Sequence, residues 1–131
     1  MNRWKDWIEQ GKLNLRAARN SLQMGDFAWA CFMAHQSAEA ALKGLYLRLG
    51  QIAWGNSIAE LLYGLPEPIK VSEELLEKAR KLDLYYIPTR YPDAHPSGPA
   101  GVHYNKKDAE ETISFAEEIV RFCGNEDLED R

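Results

Sequence analysis

The stretch Asp26-Phe27-Ala28-Trp29-Ala30-Cys31-Phe32-Met33-Ala34-His35-Gln36-Ser37-Ala38-Glu39-Ala40-Ala41-Leu42-Lys43-Gly44-Leu45-Tyr46-Leu47-Arg48-Leu49-Gly50 decides the fold. Phe27, Cys31, Ala34, Ala38, Ala41, Leu42, Leu45 and Leu49 recur at helical spacing and form one broad apolar face. Asp26 opens this helix and Gly50 ends it. Its alanine-rich middle has little side-chain bulk, so a neighbouring helix can approach closely.

Working outward, Trp4, Ile8, Gly11, Leu15, Ala18 and Leu22 mark a first helix, with Asn2 as its cap and Gly25 as its stop. Downstream, Ser57-Ile58-Ala59-Glu60 matches a capping box for a short third helix, closed by Gly64 and Pro66. Ser72, followed by Glu73 and Glu74, starts a fourth, because acids suit a positive helix N-terminus. Leu75, Leu76, Ala79, Leu82 and Tyr86 form its inner stripe. Asn105 caps a fifth helix whose inner face is Ala109, Ile113, Ala116, Ile119, Val120 and Cys123. No segment alternates as a strand does. The expectation is an all-α fold, an up-and-down bundle of four main helices plus one short helix, in a single domain over 1–124 with a frayed acidic tail at 125–131.

The 131 residues carry a net charge of −4, unevenly spread. Residues 1–48 hold seven Lys/Arg against four Asp/Glu, and residues 108–131 hold two against nine. A broadly basic nucleic-acid surface is therefore excluded, and any polyanion site must be local. Lys12, Arg16 and Arg19 share one face of the first helix, where a solvated face is the ordinary reading and a phosphate contact the sharper one. No run is apolar enough for a membrane span or a signal peptide. Cys31 and Cys123 are isolated within apolar patterns and read as buried hydrophobes, so a reducing cytoplasm is the default location. Of the four tryptophans, most are expected in the core, with one or two left for a dimer contact.

Residues 85–99, Tyr85-Tyr86-Ile87-Pro88-Thr89-Arg90-Tyr91-Pro92-Asp93-Ala94-His95-Pro96-Ser97-Gly98-Pro99, interrupt the helical pattern and hold four of the six prolines. Long loops inside small domains tend to be functional or disordered, and the three tyrosines can bury area and order this one. Arg90 and His95 are its chemical groups. A guanidinium forks onto phosphate oxygens, and an imidazole gains or loses a proton near neutral pH. Together they suit phosphodiester cleavage, with Arg90 stabilising the phosphoryl group and His95 moving a proton. The competing reading is a loop arginine bonded to Asp93 or to carbonyls, with His95 capping the turn. Tyr91 is placed to stack on a base or to support the loop. His35 reads as a hydrogen-bonded interior residue, and Glu39 with Lys43, four apart, as a helix-surface ion pair; the sharper reading makes His35 and Lys43 a polar patch that binds substrate beside the loop. Asp93, His95 and His103 lack metal-ligand spacing, and neither a phosphate-cradling glycine loop nor a nucleophile elbow is present. No metal and no cofactor is expected.

Three blocks together resemble the HEPN (higher eukaryotes and prokaryotes nucleotide-binding) domain family over nearly the whole chain. They are residues 29–45, similar to its second-helix Gln-x-x-Glu-x-x-x-Lys signature; Ser57-Ile58-Ala59-Glu60-Leu61-Leu62, similar to its short helix; and residues 82–95 with the Tyr-Ile-Pro-Thr-Arg-Tyr-Pro run. The resemblance implies a helical bundle that is commonly a homodimer. In the family's ribonuclease branch, an Arg, four to six residues and a His form a metal-independent endoribonuclease site at the dimer interface. Arg90 and His95 stand in those positions, with four residues between. Other branches are non-catalytic nucleotide-binding modules or partners of small nucleotidyltransferases. RNA, a nucleotide or such a transferase are thus the expected partners besides a second copy. The toxin members' modified tyrosine, two residues after the His, is Ser97 here, and the His that many members carry before the short helix is Asn56.

Overall fold

The computed structural model describes residues 1–125. Five α-helices account for the fold: α1 (Trp4–Met24), α2 (Phe27–Arg48), α3 (Ile58–Tyr63), α4 (Glu73–Asp83) and α5 (Lys106–Cys123). Two short 3-10 turns, Pro92–Ala94 and Ala100–His103, lie in the connection between α4 and α5. No strand occurs among the described residues. The expected tail at 125–131 lies, apart from Asn125, outside them.

Helices α1 and α2 form a tight antiparallel hairpin. Gly25 ends α1 with φ +83°, a left-handed cap that glycine adopts without steric cost. The seam is lined by small residues. A Cβ on Gly11 would lie 2.9 Å from the Ser37 carbonyl oxygen, and one on Gly44 would lie 2.9 Å from the Trp4 carbonyl oxygen. Helix α5 runs antiparallel to α1, where Arg19 pairs with Glu117, and antiparallel to α4, where Lys78 pairs with Glu118 at 2.8 Å. The four long helices therefore alternate in direction, with α2 at the centre and α3 packed between α2 and α4. The core combines Leu42, Leu45, Ile58, Leu62, Leu82 and Ile119, all fully buried, with a floor of alanines.

Ser57, Ser72 and Asn105 cap α3, α4 and α5 as the sequence predicts, whereas the N-cap of α1 is Arg3 rather than Asn2 and Asp26 opens α2 without a side-chain bond. Ser72 Oγ accepts from Leu75 N, and Asn105 and Asp108 form a reciprocal capping box. Asn2 Oδ1 accepts from Trp4 N while its amide donates to the Leu47 carbonyl, tying the chain start to the end of α2. The tryptophans depart from expectation. Trp7, Trp29 and Trp54 are exposed and Trp4 is only partly covered. A seam built on Gly11, Ala41 and Gly44 has no room for an indole, so the two tryptophans of α1 lie outside it; Trp4 packs under the Arg48 guanidinium, 4.6 Å from the ring centroid. Tyr86 also departs: α4 stops at Asp83, and Tyr86 belongs to the turn beyond it.

Cys31 and Cys123 are buried and free. Burial pushes the Cys31 thiol up to about 11 and raises that of Cys123 further, so both behave as small hydrophobes. Two of the five acids of α5 are paired on the surface: Glu117 meets Arg19 and Arg121, and Glu118 meets Lys78. Arg19 is thereby committed within the fold, whereas Lys12 and Arg16 face solvent. Among the described residues, no helix is long and apolar enough to cross a membrane.

Candidate functional site at the α4–α5 connection

The connection is anchored from below. Asp83, the last residue of α4, carries an acid where the helix dipole disfavours one. Its carboxylate answers to other elements instead. Oδ1 accepts from Ile58 N at 2.7 Å, and Oδ2 accepts from Ser57 Oγ at 2.8 Å and Ala59 N at 3.2 Å. It thus sits on the positive N-terminus of α3. The same carboxylate lies 3.2 Å from His35 Nε2 on α2. Burial alone would raise the Asp83 pKa, but the hydrogen bonds from His35, Ile58, Ala59 and Ser57 outweigh it and hold the group below the usual carboxylate range. Sequence reading missed Asp83. The available signal was an acid in the last turn of a helix whose other late charges are Arg80 and Lys81.

His35 is fully buried. Its Nδ1 faces Gln36 Oε1 at 3.3 Å, and its ring packs on Tyr86 with centroids 4.9 Å apart. Both nitrogens are thus engaged inside the fold, as the interior reading expected. Lys43 pairs with Glu39 at 3.1 Å and lies over the Trp7 ring. The pair is more covered than a helix-surface pair, with the Glu39 side chain only 14 % exposed, because Trp7 roofs it. His35 and Lys43 are therefore engaged separately, His35 beneath the loop and Lys43 against α1.

Tyr86 passes the support on to Arg90. Its carbonyl accepts from Arg90 Nε at 3.0 Å. The guanidinium carbon lies 4.3 Å from the Phe32 ring centroid, 4.7 Å from that of Tyr86 and 5.1 Å from that of Tyr91. Three rings thus hold a half-buried cation by their faces. Asp93 does not pair with it: among the described residues, no carboxylate forms a salt bridge with Arg90. Among the described residues its side-chain hydrogen bond is made through Nε, not through the terminal nitrogens.

His95 is held separately. Its Nε2 lies 2.6 Å from the Pro88 carbonyl oxygen. A carbonyl only accepts, so Nε2 carries the hydrogen and Nδ1 is the ring nitrogen with the lone pair. The ring stacks on His103, with centroids 4.1 Å apart and planes 5° from parallel, and Tyr104 meets it edge-on. Thr89, buried, donates to the Tyr85 carbonyl, and Tyr85 packs on Tyr104. Tyr85 and Tyr86 order the loop as expected, while Tyr91 is half exposed. Of Asp93, His95 and His103, the two histidines gather. No trio of His, Cys, Asp or Glu placed to hold a metal ion occurs among the described residues. A groove of about 610 Å³ lies elsewhere, between the start of α4 and the end of α5.

The fold and the family comparisons agree. The HEPN domain profile matches residues 4–127, and the chain belongs to that family. Three solved structures are similar over nearly their whole lengths. TT1696 from Thermus thermophilus is 59 % identical with a TM-score of 0.92, covering 94 % of this chain and 97 % of its own. An archaeal HEPN homologue, ST0689, is 36 % identical with a TM-score of 0.78, covering 94 % and 96 %. A HEPN domain protein from Thermotoga maritima is 35 % identical with a TM-score of 0.72, covering 90 % and 93 %. Comparison with curated proteins found no match.

Proposed function

We propose that this HEPN domain is a metal-independent endoribonuclease acting as a homodimer on single-stranded RNA. One observation carries the reading: Arg90 is fixed through Nε and three aromatic faces, yet has no carboxylate partner among the described residues. A purely structural arginine would spend its terminal nitrogens on the fold; this one keeps them for an anion. His95, its tautomer set by Pro88, presents Nδ1 for proton transfer. The 2′-hydroxyl attacks phosphorus and leaves a cyclic phosphate, while Arg90 neutralises the charge that builds on the phosphoryl oxygens. Tyr91, half exposed beside Arg90, stacks on a base. His35 acts through Tyr86 rather than on substrate, and Lys43 supports α1 through Glu39 and Trp7.

The homodimer reading rests on the apolar surface beside the site. Trp29, packed edge-on against Phe32, is 53 % exposed, and Ile87 and Leu84 are exposed too. Such rings are enriched at interfaces. The rival reading, a nucleotide-binding module or nucleotidyltransferase partner that cuts nothing, uses the same Arg90 donors and is separated by assay. Wild type, Arg90→Ala and His95→Ala are incubated with a panel of single-stranded RNAs in chelator. Cleavage by wild type alone, leaving 2′,3′-cyclic ends, is expected. Equal inactivity of all three proteins, with a thermal shift produced by nucleotide, would favour the rival. Light scattering tests the dimer; Trp29→Glu is expected to yield a folded monomer.

A further inference from the structure

We propose that His103 is a second proton-transfer residue, so that His95 and His103 divide the base and acid roles of one cleavage. This rests on the endoribonuclease reading above. The observation is the stack itself: two imidazoles lie 4.1 Å apart, 5° from parallel, each with Nε2 on a backbone carbonyl. His95 Nε2 donates to Pro88 O and His103 Nε2 donates to Ser97 O at 2.7 Å. Both rings are thereby set in the same tautomer, and both offer Nδ1. The sequence does not place these residues together trivially, since they are eight positions apart. Gly98, at φ +76°, turns the chain back so that the Ala100–His103 turn lays its last side chain on His95. A Cβ at Gly98 would stand 3.5 Å from Val102 and 3.8 Å from His103 Nε2. Tyr104 meets His95 edge-on from below and steadies the ring. His103 itself is exposed, so a ligand at the loop can reach it.

Transesterification of RNA needs two proton transfers, and a stacked pair sharing one proton supplies both. The neutral ring takes the 2′-hydroxyl proton at Nδ1 as the 2′-oxygen bonds to phosphorus. The charged ring gives its Nδ1 proton to the 5′-oxygen as the bond from phosphorus to that oxygen breaks. A 2′,3′-cyclic phosphate and a 5′-hydroxyl result, and the pair ends with one proton, now on the other ring.

The test uses His95→Phe and His103→Phe, which keep an aromatic ring in the stack. Each is assayed on an RNA with one scissile linkage, and on the same RNA with sulfur in place of the bridging 5′-oxygen. A thiolate departs without protonation, so loss of the general acid is rescued by sulfur and loss of the base is not. Each variant is expected to cut the oxygen substrate about 100-fold slower or worse. One variant, and not the other, should approach the wild-type rate on the sulfur substrate. Where His103→Phe is the variant that sulfur does not rescue, a base role removes the acid limb of the pH–rate profile, whereas a structural role keeps the profile's shape. Wild-type cleavage matched by His103→Phe, or equal behaviour of the two variants on sulfur, overturns the inference and leaves the ribonuclease reading standing. Wild type inactive on both substrates overturns both. Melting curves for each variant separate folding from chemistry.

Discussion

Replacing Asp83 with Asn should destabilise the domain by about 3 kcal/mol at neutral pH. The carboxylate is 24 % exposed and faces four donors: Ile58 N, Ala59 N, Ser57 Oγ and His35 Nε2. Asn keeps one oxygen for two of them. Its amide then turns N–H groups toward the other two, which are left unpaired in a covered site. Hydrogen bonds to a charged group contribute about 1.5–3 kcal/mol each, against roughly 1 for neutral ones, so two weakened and two lost bonds reach that total after partial relaxation. Urea unfolding followed by circular dichroism would measure it, with an unchanged urea slope and a melting point roughly 10 °C lower. The pH dependence gives a second reading. Asp83 is held below its ordinary value when folded, so its contribution is complete above the unfolded value of about 3.9 and is lost as pH falls through the lower folded value. The gap between wild type and Asp83→Asn should therefore stay constant from about pH 8 to about pH 5 and narrow below about pH 4. Ser57→Ala should cost about 1 kcal/mol alone, and less in the Asp83→Asn background, because the two share a bond. A neutral-pH loss under about 1 kcal/mol, or a gap that does not begin to narrow below about pH 4, would show that the carboxylate does not anchor α3.

Arg90→Lys keeps the charge but loses the fork and the planar stack, so RNA cleavage should fall about 100-fold with little change in melting point; retained activity would mean that a point charge suffices. Gly44→Ala should destabilise by about 1 kcal/mol or more despite alanine's better helix propensity, since its Cβ would meet Trp4 O at 2.9 Å and Ile8 Cδ1 at 3.0 Å. Gly101→Ala, with nothing within 4 Å, is the control and should stay within about 0.5 kcal/mol of wild type. Cys31 and Cys123 should resist a thiol reagent in the native protein and react together on unfolding, because burial raises both thiols; rapid native labelling of either would contradict their placement.

What was legible in the sequence was whatever depends on local rules. Helical spacing and caps at Ser57, Ser72 and Asn105 depend on neighbours three or four residues away, and they hold in the structure. The inner face of α5, from Ala109 to Cys123, holds for the same reason, with Thr112 joining it because its hydroxyl bonds back to Asp108 O. The tryptophans were misplaced because hydrophobicity predicts burial only where the packing leaves volume, and the distance between α1 and α2 is set by Gly11 and Gly44 acting together. The loop's composition pointed to Arg90 and His95. An arginine bonded to Asp93 or to carbonyls, with His95 capping the turn, was equally consistent with it. The structure pairs Arg90 not with Asp93 but with a carbonyl, that of Tyr86, and sets His95 on that of Pro88; the Phe32 contact with Arg90 lies far from the loop in sequence and follows no spacing rule.

The same distant contacts explain why α3 belongs in an account of the site although no side chain of it approaches Arg90. Asp83 binds the α3 N-terminus and His35 at once; His35 packs on Tyr86; Tyr86 takes Arg90 Nε through its carbonyl and the guanidinium on its ring. Each link is fixed by the one before it, so the direction of the Arg90 donors depends on where α4 ends. Helix α4 ends at Asp83 because that carboxylate is drawn out of its own helix's unfavourable C-terminal field and onto the favourable N-terminal field of another. The short helix, six residues long and too small to stand alone, is thereby the fixed point from which the loop is aimed. A substitution in α3 that leaves every loop residue intact should move the Arg90 donors and lower phosphate binding, whereas the His95–His103 stack, held by Pro88, Ser97 and Tyr104, should remain in place.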